Sequence, residues 1–339
     1  MGPTTGATRS HLAPTTGNGK GDGGPRWRME SLNRMAIELV DEAIDFADEL
    51  TVDVHPLEGD AAALDFGVAV PGGLEAGLLL VEITTAGLAT VSARVEDVAG
   101  VPLTHVDLAT DHPALSLLCA GKAGWELAVE DFQGLGSGPA RALVAEEDVF
   151  GRLGYRDDFD MAVLAVETDA LPGENVAATV AERAGVPESA VFIAAYRSAS
   201  LTGSVMGAAR AAELATFRLS ELGYDPAEVR SVSARAPVPP VPLEEETAMA
   251  RATDAVAYGG AVHLTLEEDF DRIDEIVSTA GDEYGEPFVD VFESVDWDYA
   301  ELPVDLFGPA QVTVDVIAGD TYVLGETHDD VLAESFGLH

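Results

Sequence analysis

The sequence is short of lysine, cysteine and long apolar runs, and each shortage excludes something. Only Lys20 and Lys122 are lysines among 18 basic residues, which face 61 acidic ones, for a formal net charge of −43. A surface of that sign repels nucleic acid and anionic lipid, whose capture rests on neutralising phosphate. The single cysteine, Cys119, excludes an intrachain disulfide and a thiolate metal cluster. Its flank, Leu117-Leu118-Cys119-Ala120, reads as buried and inert. No run of about 18 uncharged apolar residues occurs, so no membrane span is expected.

Familiar catalytic signatures are missing too. The seven histidines, His11, His55, His105, His112, His263, His328 and His339, form no H-x-H or H-E-x-x-H pair, so a zinc hydrolase is not expected. No G-x-S-x-G elbow marks an esterase. The one G-x-G-x-x-G, Gly19–Gly24, opens no strand-helix unit, so no dinucleotide is indicated. Any hydrolysis here is therefore expected to be metal-free acid–base chemistry.

A hydrophobic fraction of 47% over 339 residues is enough for a sizeable core, in one large or two ordinary domains. Mean hydropathy of +0.13 does not fit a disordered acidic tail. Acid-rich, lysine-poor and globular is the composition of a cytoplasmic protein from a salt-accumulating organism. Residues 1–28, rich in Gly, Thr and Pro, read as a disordered extension, or as preceding a natural start at Met29.

Periodicity then gives the elements. Helices are expected over Ser31–Leu50, His112–Ala123 with Asp111 as its cap, Ala140–Leu153, Gly173–Arg183, Gly203–Leu222 and Leu266–Ser278. Strands are expected over Thr51–His55, Ala63–Val70, Trp125–Val129, Met161–Glu167 and Val191–Ala195. Two more are expected within Gly77–Ala93, two around Gly259-Gly260, and a hairpin from Val312–Ile317 and Thr321–Leu324. Strands and helices mix throughout. The fold class is α+β or mixed α/β, with two layered subdomains, 29–160 and 161–339, around a ligand cleft. The C-terminal part could pack back on the first.

Four constellations could carry chemistry. Gly134–Leu143 packs Gly134, Gly136, Ser137, Gly138, Pro139 and Arg141 ahead of a helical run; it reads either as a tight turn or as an anion-binding helix start. It lacks the Lys-Ser/Thr of a nucleotide loop. Ser198–Val205 places Ser200, Thr202, Gly203 and Ser204 at the start of a helix bearing Arg210 and Glu213, three apart on one face. Arg218 and Glu221 repeat that spacing, so spacing alone proves nothing, but only Arg210 and Glu213 lie in an alanine-rich stretch. There a carboxylate can be poised as a proton acceptor. Thr110–Ala114 with Lys122–Trp125 forms a third set, and Arg235-Ala236-Pro237 a fourth, which reads otherwise as a linker charge.

Together these segments resemble the archaeal methenyltetrahydromethanopterin cyclohydrolases, from about Met29 to His339. The resemblance rests on the order of Asp65–Gly77, Thr110–Ala114, Lys122–Trp125, Gly136–Leu143, Ser200–Val205, Arg235–Pro237, Tyr258–Gly260, Glu283–Phe288, Phe307–Ala310 and Ser335–Leu338. Phe66, Leu74, Glu283 and Tyr196-Arg197 depart from the family pattern. The resemblance implies a metal-free, cofactor-free hydrolase, a homotrimer of two-subdomain subunits, that reversibly opens the methenyl bridge of a reduced pterin to the 5-formyl compound. It implies Arg210 and Glu213 as the catalytic pair. Carrier-binding candidates are Asp111, His112, Gly136, Ser137, Gly138, Arg141, Ser200, Gly203, Ser204, Arg235 and Tyr258. A tetrahydrofolate-type carrier, or a non-catalytic pterin- or phosphate-binding role, stands as the alternative.

Overall fold

A computed structural model describes residues 30–281, 284–295, 297 and 307–339. The segment 1–28 and Glu283 lie outside the described residues. The strands are β1 (Asp53–Pro56), β2 (Ala62–Asp65), β3 (Thr90–Val98), β4 (Val101–Thr110), β5 (Trp125–Val129), β6 (Phe132–Ser137), β7 (Ala162–Glu167), β8 (Val191–Tyr196), β9 (Val229–Pro237), β10 (Ala261–Leu266), β11 (Gln311–Val316) and β12 (Thr321–Gly325). They form two six-stranded mixed sheets, ordered β1-β2-β8-β7-β6-β5 and β12-β11-β10-β9-β4-β3. This is the expected α+β class. The expected boundary at residue 160 falls between β6 and β7, which pair antiparallel, and β4 pairs with β9 in the second sheet.

Helices lie between the sheets and on the far face of the first. Besides the single helical turn Ala47–Leu50, they are in chain order α1 (Leu32–Asp45), α2 (Leu74–Thr84), the π-helix α3 (Ala114–Gly121), α4 (Ala140–Val144), α5 (Asp148–Leu153), α6 (Glu174–Ala184), α7 (Leu201–Ala209), α8 (Ala211–Leu222), α9 (Glu245–Ala257), α10 (Phe288–Ser294) and α11 (Asp329–Phe336). Helix α2 touches a strand of each sheet, β7 and β3, while α7 lies against β4, β9 and α9. Strands β7 and β8 are buried on both faces, as parallel strands under helices should be. Val163, Ala165, Phe192 and Ala194 join the core shared with α1, α2 and α7. Ala162, Leu164, Val191 and Ile193 join a second core under α6.

Several expected elements are corrected. Of the two strands expected within Gly77–Ala93, only the start of β3 from Thr90 is found; the rest is α2, whose apolar residues are buried nearly all round and carry no period-2 signal. A Cβ on Gly77 would lie 2.7 Å from Val205, so glycine permits the close α2–α7 approach. The strand expected over Ala63–Val70 stops at Asp65, whose buried carboxylate accepts the backbone N–H groups of Gly67, Val68, Ala69 and Val70 at 2.6–3.2 Å. Ala140–Leu153 breaks at Ala145, which is left-handed at φ 55°. Ala255–Ala257 ends α9 and leaves one strand, β10, and the acidic stretch after Leu266 forms short 3-10 turns at Ile273–Ile276 and Ser278–Ala280 instead of a helix. Strand β4 was not anticipated.

The C-terminal layer is tied to α9 by Asp254. This fully buried carboxylate accepts from the Phe288 N–H at 2.8 Å and the Ser335 hydroxyl at 2.5 Å. Burial pushes its pKa up from 3.8 to about 7. Between those values the folded state keeps a proton that the unfolded state has lost, so stability falls as pH rises from about 4 to about 7. Asp254→Asn keeps an acceptor and removes the titration. Its melting temperature relative to wild type should therefore climb with pH across that window; a flat difference would show that Asp254 does not titrate there.

Candidate active site

A cleft of about 670 Å³ opens where the two sheets and the helices between them meet. Its floor includes Glu167 and Tyr196, the last residues of the parallel neighbours β7 and β8. Ligands commonly bind beyond the carboxyl ends of such strands. The walls are Val81 and Thr84 of α2 with Thr85 just after it, Leu117 of α3, then Lys122 and Glu126, Leu135 and Ser137 of β6, and Met249, Ala252, Thr253 and Val256 of α9. Phe217, Phe292 and Phe307 add aromatic faces. An apolar cavity with a few charged groups suits a flat heteroaromatic ligand.

Arg210 and Glu213 enter this cleft together. The helix expected over Gly203–Leu222 is divided at Arg210, where the backbone N–H reaches the Gly207 carbonyl in a tightened turn before α8 begins. Glu213 sits in the first turn of α8, where the helix dipole favours an anion. Its side chain is 10% exposed; that of Arg210, deep in the protein but open to the cleft, is 45% exposed. An Arg210 Nη2 to Glu213 Oε1 contact of 3.5 Å joins them. Glu213 above all, with Glu167 and Tyr196, raises the Arg210 pKa, so the guanidinium stays charged. Burial first, then Glu167 and Glu213, pushes the Tyr196 phenol well up, so it stays protonated. The control pair differs as its neighbours implied: Arg218 donates to the Glu275 carbonyl at 3.2 Å and makes no ion pair with Glu221 among the described residues.

Glu167 and Ser198 line the cleft too, and spacing could not find them. Glu167 ends a strand remote in sequence from Arg210, and only sheet pairing brings it to the cleft. The Ser198 hydroxyl donates to it. Lys122, singled out as a rare cation, also lines the cleft; its Nζ lies 3.0 Å from Glu147 Oε2 and 4.8 Å from the Phe217 ring centroid.

Other sequence candidates take structural posts. Gly203 and Ser137 line the cleft. A Cβ on Gly203 would lie 2.1 Å from the Arg197 carbonyl oxygen, so the turn itself demands glycine. Ser200 caps α7, accepting the Gly203 N–H at 2.9 Å, and Ser204 is buried in the same helix. Asp111 and His112 are exposed and not among the cleft-lining residues. The cap role expected for Asp111 is corrected: Pro113 precedes α3, and Thr110 Oγ1 accepts the His112 N–H. The Gly-rich run is corrected from turn to strand, since Gly134, Gly136 and Ser137 belong to β6, and the Gly138 N–H is spent on the Ala120 carbonyl. Arg235 lies on β9, not in a linker, and pairs with Glu96 at 2.9 Å. Tyr258 is buried among Tyr284, Phe288 and His328, and its hydroxyl donates to the Glu286 carbonyl at 2.6 Å. Arg141 is also buried away from the cleft lining. It donates to the Leu118 and Ala120 carbonyls of α3 at 3.2 and 3.0 Å and to Glu147 at 2.5–2.9 Å.

The family model described as Cyclohydrolase (MCH) matches residues 31–336. The chain belongs to this family. It is 54% identical over 310 residues to the methenyltetrahydromethanopterin cyclohydrolase of Halobacterium salinarum, covering 91% of this chain and 100% of that protein. The enzymes of that name from Methanocella arvoryzae and Methanothermobacter marburgensis are each 37% identical, over 91% of this chain and 99% and 100% of theirs. Among the described residues no helix is long and apolar enough to cross a membrane.

Proposed function

We propose that this chain hydrolyses the methenyl bridge of a reduced pterin one-carbon carrier to the 5-formyl form, reversibly. The observation that carries the proposal is the Arg210–Glu213 pair facing an apolar, aromatic-walled cleft in a chain of this family. The substrate's N–C–N unit is an amidinium, already electrophilic at carbon. The reaction therefore calls on no metal and no cofactor. Water adds its oxygen to the bridge carbon while Glu213 accepts one of its protons. The cation is thereby neutralised. Proton delivery to one nitrogen of the bridge then lets that C–N bond break as the carbinol hydroxyl gives up its own proton, leaving the formyl group on the other nitrogen and releasing one proton overall. Arg210, in contact through its Nη2, orients the Glu213 carboxylate. Gly203 and Ser137 belong to the carrier-binding surface. The homotrimer and the cytoplasmic setting implied by the resemblance are part of the same proposal.

The test is loss of the methenyl near-UV absorbance on adding the protein to methenyltetrahydromethanopterin and, separately, to methenyltetrahydrofolate in multimolar salt. Turnover of either supports the proposal and names the carrier; tight binding without turnover would make the chain a pterin-binding protein instead. With a net charge of −43, the protein also repels an anionic carrier tail and itself in dilute buffer. Activity and melting temperature should both rise with salt into the multimolar range. A maximum in dilute buffer would contradict this electrostatic account.

A further inference from the structure

One hydrogen-bonded chain outside the Arg210–Glu213 pair ends on a cleft carboxylate. It begins at Glu245, the first residue of α9. Glu245 Oε1 accepts from Arg197 Nε at 2.6 Å and lies 2.5 Å from its Nη2, so one carboxylate oxygen holds the guanidinium edge. Glu245 Oε2 accepts the Ala199 N–H at 3.0 Å. The Arg197 N–H donates to the Gly67 carbonyl at 3.3 Å, and the Arg197 carbonyl accepts from Ser200 Oγ at 2.8 Å. The turn from β8 to α7 is thus clamped on both sides of Ser198, and Ser198 Oγ donates to Glu167.

The clamp matters because two carboxylates compete for one guanidinium. Glu213 and Glu167 both act electrostatically on Arg210. The Arg210–Glu213 contact, at 3.5 Å, is loose, and among the described residues no ion pair joins Arg210 to Glu167. A Glu167 carboxylate free to rotate would gain by turning toward Arg210. A hydroxyl donated to that carboxylate fixes it in place, and hydrogen bonds to charged groups are among the stronger ones.

We propose that Ser198, held by the Arg197–Glu245 clamp, is a positioning residue that restrains Glu167 and so reserves Arg210 for Glu213 and the substrate. The proposal rests on the hydrolytic reading above.

The test is a kinetic cycle in multimolar salt with the methenyl carrier that the wild type opens. Ser198→Ala should lower kcat about tenfold, the loss of one hydrogen bond to a charged group, with KM changed less than about twofold. Ser198→Thr keeps the hydroxyl and should restore kcat. Arg197→Met should give a smaller loss in the same direction, because Glu245 still accepts from Ala199. In a Glu167→Gln background, itself slowed, Ser198→Ala should add nothing, since its effect passes through Glu167. A Ser198→Ala enzyme with wild-type kcat, a loss confined to KM, or losses that multiply in the double variant would each overturn the positioning role. A wild type that opens neither carrier would overturn the functional reading and this role together.

Discussion

Arg141→Met should cost about 3–5 kcal/mol of stability, the usual penalty for removing one partner of a buried ion pair. The Arg141 side chain is 0% exposed and Glu147, its partner, 26%. Burial pushes the Glu147 carboxyl up, but Arg141 and then Lys122 beside it more than offset this and hold it below the ordinary carboxylate range. Methionine fills similar volume but leaves Glu147 with Lys122 alone, and it strips donors from the last carbonyls of the π-helix α3. That helix brings Leu117 and Lys122 to the cleft. Arg141→Lys should rescue little, because an ammonium cannot span several carbonyls and a carboxylate as the planar guanidinium does. Denaturant titration at constant high salt measures the loss. A fully stable Arg141→Met protein with a raised KM would return Arg141 to the carrier-binding surface.

Arg141 also shows what the sequence could and could not convey. Glycines, a proline and an arginine before an apolar run read equally as an anion loop or as a turn. The choice depended on where β6 pairs and on which carbonyls the guanidinium meets, and both are tertiary facts. The parallel strands β7 and β8 were legible because each is a short apolar run of strand length bounded by polar and turn-forming residues. Helix α2 was not, since a helix buried all round loses the amphipathic stripe that would mark it. Among cleft residues, Arg210 and Glu213 stood out by their alanine neighbours, and the family resemblance pointed to the same pair. Glu167 and Ser198 were not, because their approach depends on sheet register and on a loop clamped by the distant Glu245. Tyr258 and Arg235 lay in segments that mark the family, yet one anchors an aromatic cluster and the other an outer sheet face.

Glu213→Gln should keep the fold and lower turnover by about 10²–10⁴-fold, the usual contribution of a positioned base. Glutamine matches glutamate in size and can still meet Arg210 from the first turn of α8, so packing in this buried position is kept. What it cannot do is accept the proton of the attacking water. Binding should change little, because the apolar and aromatic walls are untouched. Arg210→Lys should fall between wild type and Glu213→Gln, keeping the charge but losing the planar donor edge.

The most direct measurement is a single-turnover experiment in multimolar salt. Excess enzyme is mixed rapidly with the methenyl carrier, and near-UV absorbance is followed. The wild type should bind and bleach the chromophore in one fast phase. Glu213→Gln should bind it and leave it intact over the same interval. Bleaching by Glu213→Gln at the wild-type rate would contradict the assignment of the base, and with it the account of how this cleft works.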